Sequence, residues 1–352
     1  MKKLSFLMLA AAMTLGFASC SNNDNPAPTP DEPQQPEEAK VVILEINVGG
    51  NKDAANKNYL YSKAITLYNN SGVPATISNW GIAIAPPLNG EATNKGYDAD
   101  GVLSYEKEKY VPALQGLWYF PGTSTIAPYS AAVISINGAT DHTANGGFDL
   151  SNADFACYDP EGPYNNATYY PAPANVPSTN WLKGFRFNTS GNTWPISILS
   201  PAIFLFAAPA EVTLADYFAD EANQVYTNAT TSAAYKGGKI PFDWIVDGVE
   251  LYNLAKLSAS TKRLPAVIDS GYGLYTSYAG YSAYRNVDKE ATEAIKDNAG
   301  KLVYGYDQAV EGTSDPSDIN AVASAKNGAK IVYKDNNNST EDFHLRKTWS
   351  LK

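Results

Sequence analysis

Cysteine and histidine are nearly missing from this 352-residue chain, two of each, and that scarcity removes whole classes of chemistry. With Cys20 at a processing site and Cys157 the other thiol, no disulfide framework can hold the fold together. Cys157 reads as a small buried hydrophobe, and a Cys/His nucleophile would have to recruit His142 or His344 from a distance. No zinc spacing, H-E-x-x-H, P-loop or G-x-S-x-G occurs, so no metal and no cofactor is expected. Positive charge is also short. Twenty-six basic residues face 36 acidic ones, a net charge of −10; losing residues 1–19 removes two lysines and leaves 24 against 36, or −12. Such a surface disfavours nucleic acid as a partner. Helical periodicity is scarce as well, limited to Leu214 to Asn223, Val287 to Asn298 and a stretch from Pro316 to Asn327.

What is present begins with an address. Lys2 and Lys3 precede an apolar run, Leu4 to Phe17, too short to span a bilayer, and Phe17-Ala18-Ser19-Cys20 closes it with small residues. The run is a secretory signal over residues 1–19, and its end resembles the lipobox of bacterial lipoproteins, which implies lipidation at Cys20 and a membrane partner through that anchor. Residues 20–40 hold the cysteine and a tether with prolines at 26, 28, 30, 33 and 36 and little apolar mass, semi-rigid and unable to fold alone. Ser21-Asn22-Asn23-Asp24 resembles the tag that sends lipoproteins to the outer face of the outer membrane. Residues 41–352 are expected to form one domain.

That domain reads as strands. Val42, Leu44, Ile46 and Val48 alternate with Val41, Ile43, Glu45 and Asn47. Ala64 to Tyr68 and Trp80 to Ala85 alternate likewise around Asn69-Asn70-Ser71-Gly72-Val73-Pro74, which predicts a hairpin. Further strands are expected at Ile126 to Asn137, Ile196 to Phe206, Phe242 to Val246, Val249 to Tyr252, Lys301 to Tyr306 and Lys330 to Tyr333. From Pro86 to Trp194 regularity fails, and long aromatic-rich loops are the expected content. Asn298-Ala299-Gly300-Lys301-Leu302-Val303-Tyr304 returns 29 residues later as Asn327-Gly328-Ala329-Lys330-Ile331-Val332-Tyr333, a duplicated unit read as helix, glycine cap and strand.

The order of the blocks ILEI (43–46), AITLYNNS (64–71), ISNWGIAI (77–84), TIAPYSAAVISI (125–136), DWIVDGVEL (243–251) and DNNNSTEDF (335–343) is similar to lamin-tail domains. With Lys262-Arg263-Leu264-Pro265 added, the chain more closely resembles a family of Bacteroidota lipoproteins carrying a domain of unknown function. The resemblance implies an all-β, immunoglobulin-like (lamin-tail-like) β-sandwich with long loop insertions and a few short peripheral helices. It implies no activity.

Two acidic runs look like cation loops. Asp98-Ala99-Asp100-Gly101 lacks the later ligands of a calcium loop, and Asp335 to Asp342 suits Asx turns equally well, so both read as structural. Glu45, Glu106, Glu108, Asp243 and Asp247 are carboxylates without a recognisable pairing. Aromatic density is the remaining signal. Trp118, Tyr119 and Phe120 lie between Gly116 and Pro121-Gly122, a setting for a displayed loop, and Trp181 and Trp194 are placed to join them in a stacking surface. The expectation is a lipid-anchored, surface-exposed binding or adhesion module for an extracellular glycan or protein, located in the outer membrane. A self-assembling envelope protein is the alternative, and a glycan-acting hydrolase a weaker one.

Overall fold

Burial on both faces sets this fold apart from a one-sided sheet. In the computed structural model, which describes residues 37–92, 94–187, 191–227, 232 and 235–350, twelve strands form one sheet. In chain order they are β1 (Val41–Asn47), β2 (Ala64–Asn69), β3 (Trp80–Ile84), β4 (Gly116–Tyr119), β5 (Ala131–Ser135), β6 (Phe155–Cys157), β7 (Trp181–Arg186), β8 (Ala202–Ala207), β9 (Ile245–Asn253), β10 (Gly273–Tyr275), β11 (Ser282–Arg285) and β12 (Phe343–Arg346). Every residue of β1 and β2 is buried, as strands covered on both faces must be.

The expected immunoglobulin-like sandwich is not what the chain forms. The strand order is β10-β9-β8-β3-β4-β7-β6-β5-β2-β1-β11-β12, a single mixed sheet, with β5–β6, β6–β7 and β9–β10 parallel. It curls until the edge strands β10 and β12 lie beside each other, a nearly closed barrel. The reason lies in the segment expected to be loops. Residues 116–119, 155–157 and 181–186 supply β4, β6 and β7, which hydrogen-bond β3 to β5 and merge what would be two sheets into one. Ile43, Ile46, Ile65, Leu67, Ile82, Trp118, Ile134, Leu182, Leu205 and Leu251 fill the interior.

Three packed clusters cover the outside, one of them Ala64, Val133 and Ala156 of β2, β5 and β6 against Leu150, Val176 and Trp349. Over β3, β4 and β8, Ala83, Leu117, Phe204 and Phe206 pack against Val111, Ala113 and Ile240 of a small ribbon and Leu214 and Phe218 of helix α1 (Leu214–Ala219). Over β1, β2 and β11, Val42, Leu44, Tyr68 and Tyr284 meet Ile319, Ile331 and Tyr333 from the duplicated region. The strict alternation read for β1 breaks at a bulge between Ile43 and Glu45, so Val42 and Leu44 face outward while Ile46 and Val48 face the interior.

The expected hairpin is also absent. Strand β2 pairs with β1 and β5, whereas β3 pairs with β8 and β4, and the linker carries its own short strand, Ala75–Ile77, paired to Ser124–Ile126. The duplicated units hold each other reciprocally. Asn298 Nδ2 donates to the Lys330 carbonyl (2.7 Å) and Asn327 Nδ2 to the Lys301 carbonyl (3.3 Å), while Thr292 and Ser324 take the Val332 and Val303 N–H groups. Each copy opens on a short helix, α2 (Lys289–Ala294) or α3 (Ala321–Lys326), and turns at Gly300 or Gly328, both at positive φ where L side chains strain. The strands expected after these turns make isolated bridges only, Tyr304 with Ile319 and Tyr333 with Val287.

Candidate functional site

Where β10 and β12 meet, no backbone ladder joins them; side chains do. The DNNNSTEDF run forms a one-turn helix, α4 (Ser339–Asp342), set between the two edges. Toward β10, Ser339 Oγ donates to Asp269 Oδ2 (2.7 Å) and its N–H to Asp269 Oδ1 (2.8 Å). Thr340 Oγ1 accepts from the Tyr272 N–H (3.0 Å) and donates to the Tyr272 carbonyl (3.1 Å). Toward β11, Asn286 donates its N–H to the Asp342 carbonyl (2.7 Å) and Nδ2 to the Glu341 carbonyl (2.8 Å). Gly271 permits this approach, since a Cβ there would collide with Asn338 and Thr340.

Two buried arginines brace the latch. Arg285 Nη2 contacts Asp247 Oδ2 (2.5 Å), its Nε donates to the Ile43 carbonyl (2.8 Å), and its guanidinium lies 4.6 Å from the Phe343 ring centroid. Burial pushes the Asp247 carboxyl up to about 6, against the pull of Arg285. Arg263, from the KRLP segment, donates Nε to Glu250 Oε1 (2.9 Å) and Nη1 to the Ser200 carbonyl (2.6 Å), and Lys262 Nζ reaches Glu250 Oε2 (2.7 Å). Burial pushes Glu250 up, yet Arg263 and Lys262 together hold it below the usual carboxylate range. The KRLP segment is thus a staple on β9.

Because side chains rather than a ladder close this seam, it leaves a concavity of about 580 Å³. His344 sits in its wall with both ring nitrogens used, Nδ1 against Asn286 Oδ1 (2.7 Å) and Nε2 against Tyr306 OH (2.7 Å). Burial pushes its pKa down to about 3, so the ring is neutral. Thr313, Ser314, Lys334 and Glu341 add hydrogen-bonding groups, and Tyr272 forms part of the lining with its ring stacked on Tyr252, centroids 4.4 Å apart at 13°. Glu341 is the one carboxylate in the lining. A second hollow of about 560 Å³ reaches the 335–342 run at Asn337 and is lined also by Lys109, Asp243 and Asp247 among others. The seam cleft thus presents hydrogen-bonding groups and an aromatic residue in its lining, and both ring nitrogens of its histidine, His344, are hydrogen-bonded.

The expected stacking surface is not formed. Trp118 is fully buried inside β4, and Phe120 and Trp194 are core residues too. Trp118 packs edge-on to Tyr170 (5.3 Å), Phe120 on Phe155 (5.0 Å), and Trp194 Nε1 donates to the Gly116 carbonyl (3.2 Å). Tyr119 and Trp181 are half-buried, and Trp181 Nε1 is spent on the Val176 carbonyl (2.9 Å). Glycine and proline flanks suggested a loop, but Gly116 is there because a Cβ would collide with the Tyr164 hydroxyl. Asp98 and Asp100 both contact Lys107 Nζ, and in the 335–342 run the Asp342 carboxylate accepts from the Asn336 and Asn338 N–H groups. Among the described residues no group of three or more His, Cys, Asp or Glu is placed to hold a metal. Cys20 lies outside the described residues, and among those described no helix is long and apolar enough to cross a membrane. The sequence reading missed Tyr272, whose one signal was its place between two glycines, Gly271 and Gly273.

Residues 127–304 match a family model described as protein of unknown function (DUF4876). A crystal structure of a DUF4876 family protein from Bacteroides thetaiotaomicron superposes with a TM-score of 0.62 at 21% identity, over 86% of this chain and 70% of that one. At that identity the likeness is one of fold. No curated protein matches.

Proposed function

This chain belongs to the DUF4876 family of proteins of unknown function, and we propose, from the seam cleft rather than from the family, that it is a binding module for an extracellular glycan or protein. In this reading it is lipid-anchored through Cys20 and displayed on the outer membrane. The observation that carries the proposal is a preformed concavity whose size lies within the range of ligand sites, about 300–1,000 Å³, and whose lining offers Lys334, Glu341, Thr313 and Ser314 to a ligand. The Bacteroides neighbour accords with the lipoprotein family that the sequence resembles. The likeness to lamin-tail domains lies in the order of short sequence blocks and adds no ligand to the reading.

The test is a combined glycan and protein array probed with the chain from Glu37 onward, a single compact unit, beside the Lys334→Ala, Glu341→Ala double variant. Binding by the parent that the double variant loses is expected. No binding at all, or binding indifferent to both changes, overturns the cleft as the seat. For the anchor, Cys20→Ala should move the full chain from the detergent phase into the soluble fraction, and continued partition into detergent overturns it.

A further inference from the structure

The geometry points to a carbohydrate as the occupant of the seam cleft, a neutral sugar ring stacked on the free face of Tyr272. This rests on the reading of the cleft as a ligand seat and deepens it.

Tyr272 is 37% exposed, a large apolar ring left partly in water at the rim of a concavity. It is not loose. One face lies flat on Tyr252, at 13° and 4.4 Å between centroids, while Tyr252 itself is buried. Its backbone is gripped on both sides by Thr340 Oγ1, which accepts from its N–H and donates to its carbonyl. Gly271 and Gly273 carry no side chain that would cover the ring, and Gly273 is itself required because a Cβ would meet Leu251. A rigid aromatic with one face stacked and 37% of the residue exposed pays little ordering entropy when something flat settles on it.

The chemistry of that partner follows from the ring and the lining. The face of an aromatic ring is electron-rich, so it attracts the weakly positive C–H edge of a saturated ring. A pyranose has an apolar C–H face of that kind and a fringe of hydroxyls, each both donor and acceptor. The lining answers the fringe with Lys334 as donor, Glu341 as acceptor, and Thr313 and Ser314 as either. One cation and one carboxylate balance, which favours a neutral sugar over a uronic or sialic acid. An extended peptide would want the main-chain groups of the edge strand, but those of Tyr272 are already held by Thr340.

The experiment applies neutral and acidic oligosaccharides, together with a protein panel, to an array probed with the chain from Glu37 onward, its Tyr272→Ala variant and its Tyr272→Phe variant. Expected is binding of neutral glycans by the parent, a loss of tenfold or more in Tyr272→Ala, and retention within about threefold in Tyr272→Phe, with thermal midpoints inside a few degrees of the parent. If Tyr272→Ala does not fold, Tyr272→Leu replaces it, keeping bulk without a flat ring. Glycan binding unaffected by loss of the ring, or confined to acidic sugars, overturns the inference. Binding to proteins alone also overturns it while leaving the binding-module reading intact; no binding of any kind removes both.

Discussion

The barrel is closed twice, by different means. Between β3 and β5 three strands from the aromatic-rich insertion complete the hydrogen-bonded ladder, and the space they enclose is sealed with Trp118, Tyr164, Tyr170 and Trp194. Between β10 and β12 a one-turn helix and two braced arginines do the same task with side chains. A ladder spends every backbone group at a fixed strand spacing and leaves no room. A latch spans a wider gap, and the difference in width is the cleft. The aromatics that looked most like a binding surface fell on the sealed side, and the one that serves a concavity stands on the latched side.

Three measurements sharpen that contrast. Trp118→Ala on the sealed side should cost about 3 to 5 kcal/mol in denaturant unfolding, because it opens a cavity among closely fitted rings; a cost under about 1 kcal/mol would show that the insertion strands are not a true closure.

The latched half should carry the pH dependence. Glu45 on β1 accepts from Ser282 Oγ (2.5 Å) on β11, and burial pushes its carboxyl up to about 7. The folded chain therefore keeps a proton that the unfolded chain has released, between Glu45's ordinary value and about 7. Stability should fall as pH rises through that window, by up to roughly 3 kcal/mol, and level off above it. Thermal melts of Glu45→Gln from pH 4 to 8 should show a smaller fall, the remainder coming from Asp247, which burial also raises, and an identical slope in the variant would remove Glu45 as a source.

The smallest effect is expected at the latch itself. Ser339→Ala strips one hydrogen bond from Asp269, which retains Lys262 and backbone donors, and should cost about 1 to 2 kcal/mol. Hydrogen exchange localised to residues 269–275 would mark the seam as a separately opening unit. Uniform exchange across the barrel would mean that latch and ladder act as one.

Much of the chain was legible from pattern alone. Alternation located β1, β2 and β3, and apolar runs located β5 and β8, because a strand's side chains report its faces locally. It did not report partners. Which strand lies beside which is decided by residues far away, and the hairpin drawn between Ala64 and Ala85 failed on that ground. The insertion strands were missed because their glycines, 116 and 184, exist to admit Tyr164, which reads in sequence as loop punctuation. The duplicated unit was visible as a repeat, yet its reciprocal asparagine bonds are a property of two copies meeting. For the site, the closing Asp/Asn run was recognised as structural, whereas its service as a bridge between sheet edges depends on a seam that no local pattern describes.

Strand β1 stands next to β11, and the Ser282–Glu45 bond between them spans 237 residues. The first strand to be synthesised thus waits for a partner made almost last, and the seam cannot be latched until Ser339–Asp342 has followed. Ordering so long a loop before its contacts reward it makes a slow folder. A chain of this topology stays uncommitted through most of its synthesis, and the cleft appears only once the segment that carries the latch has been made.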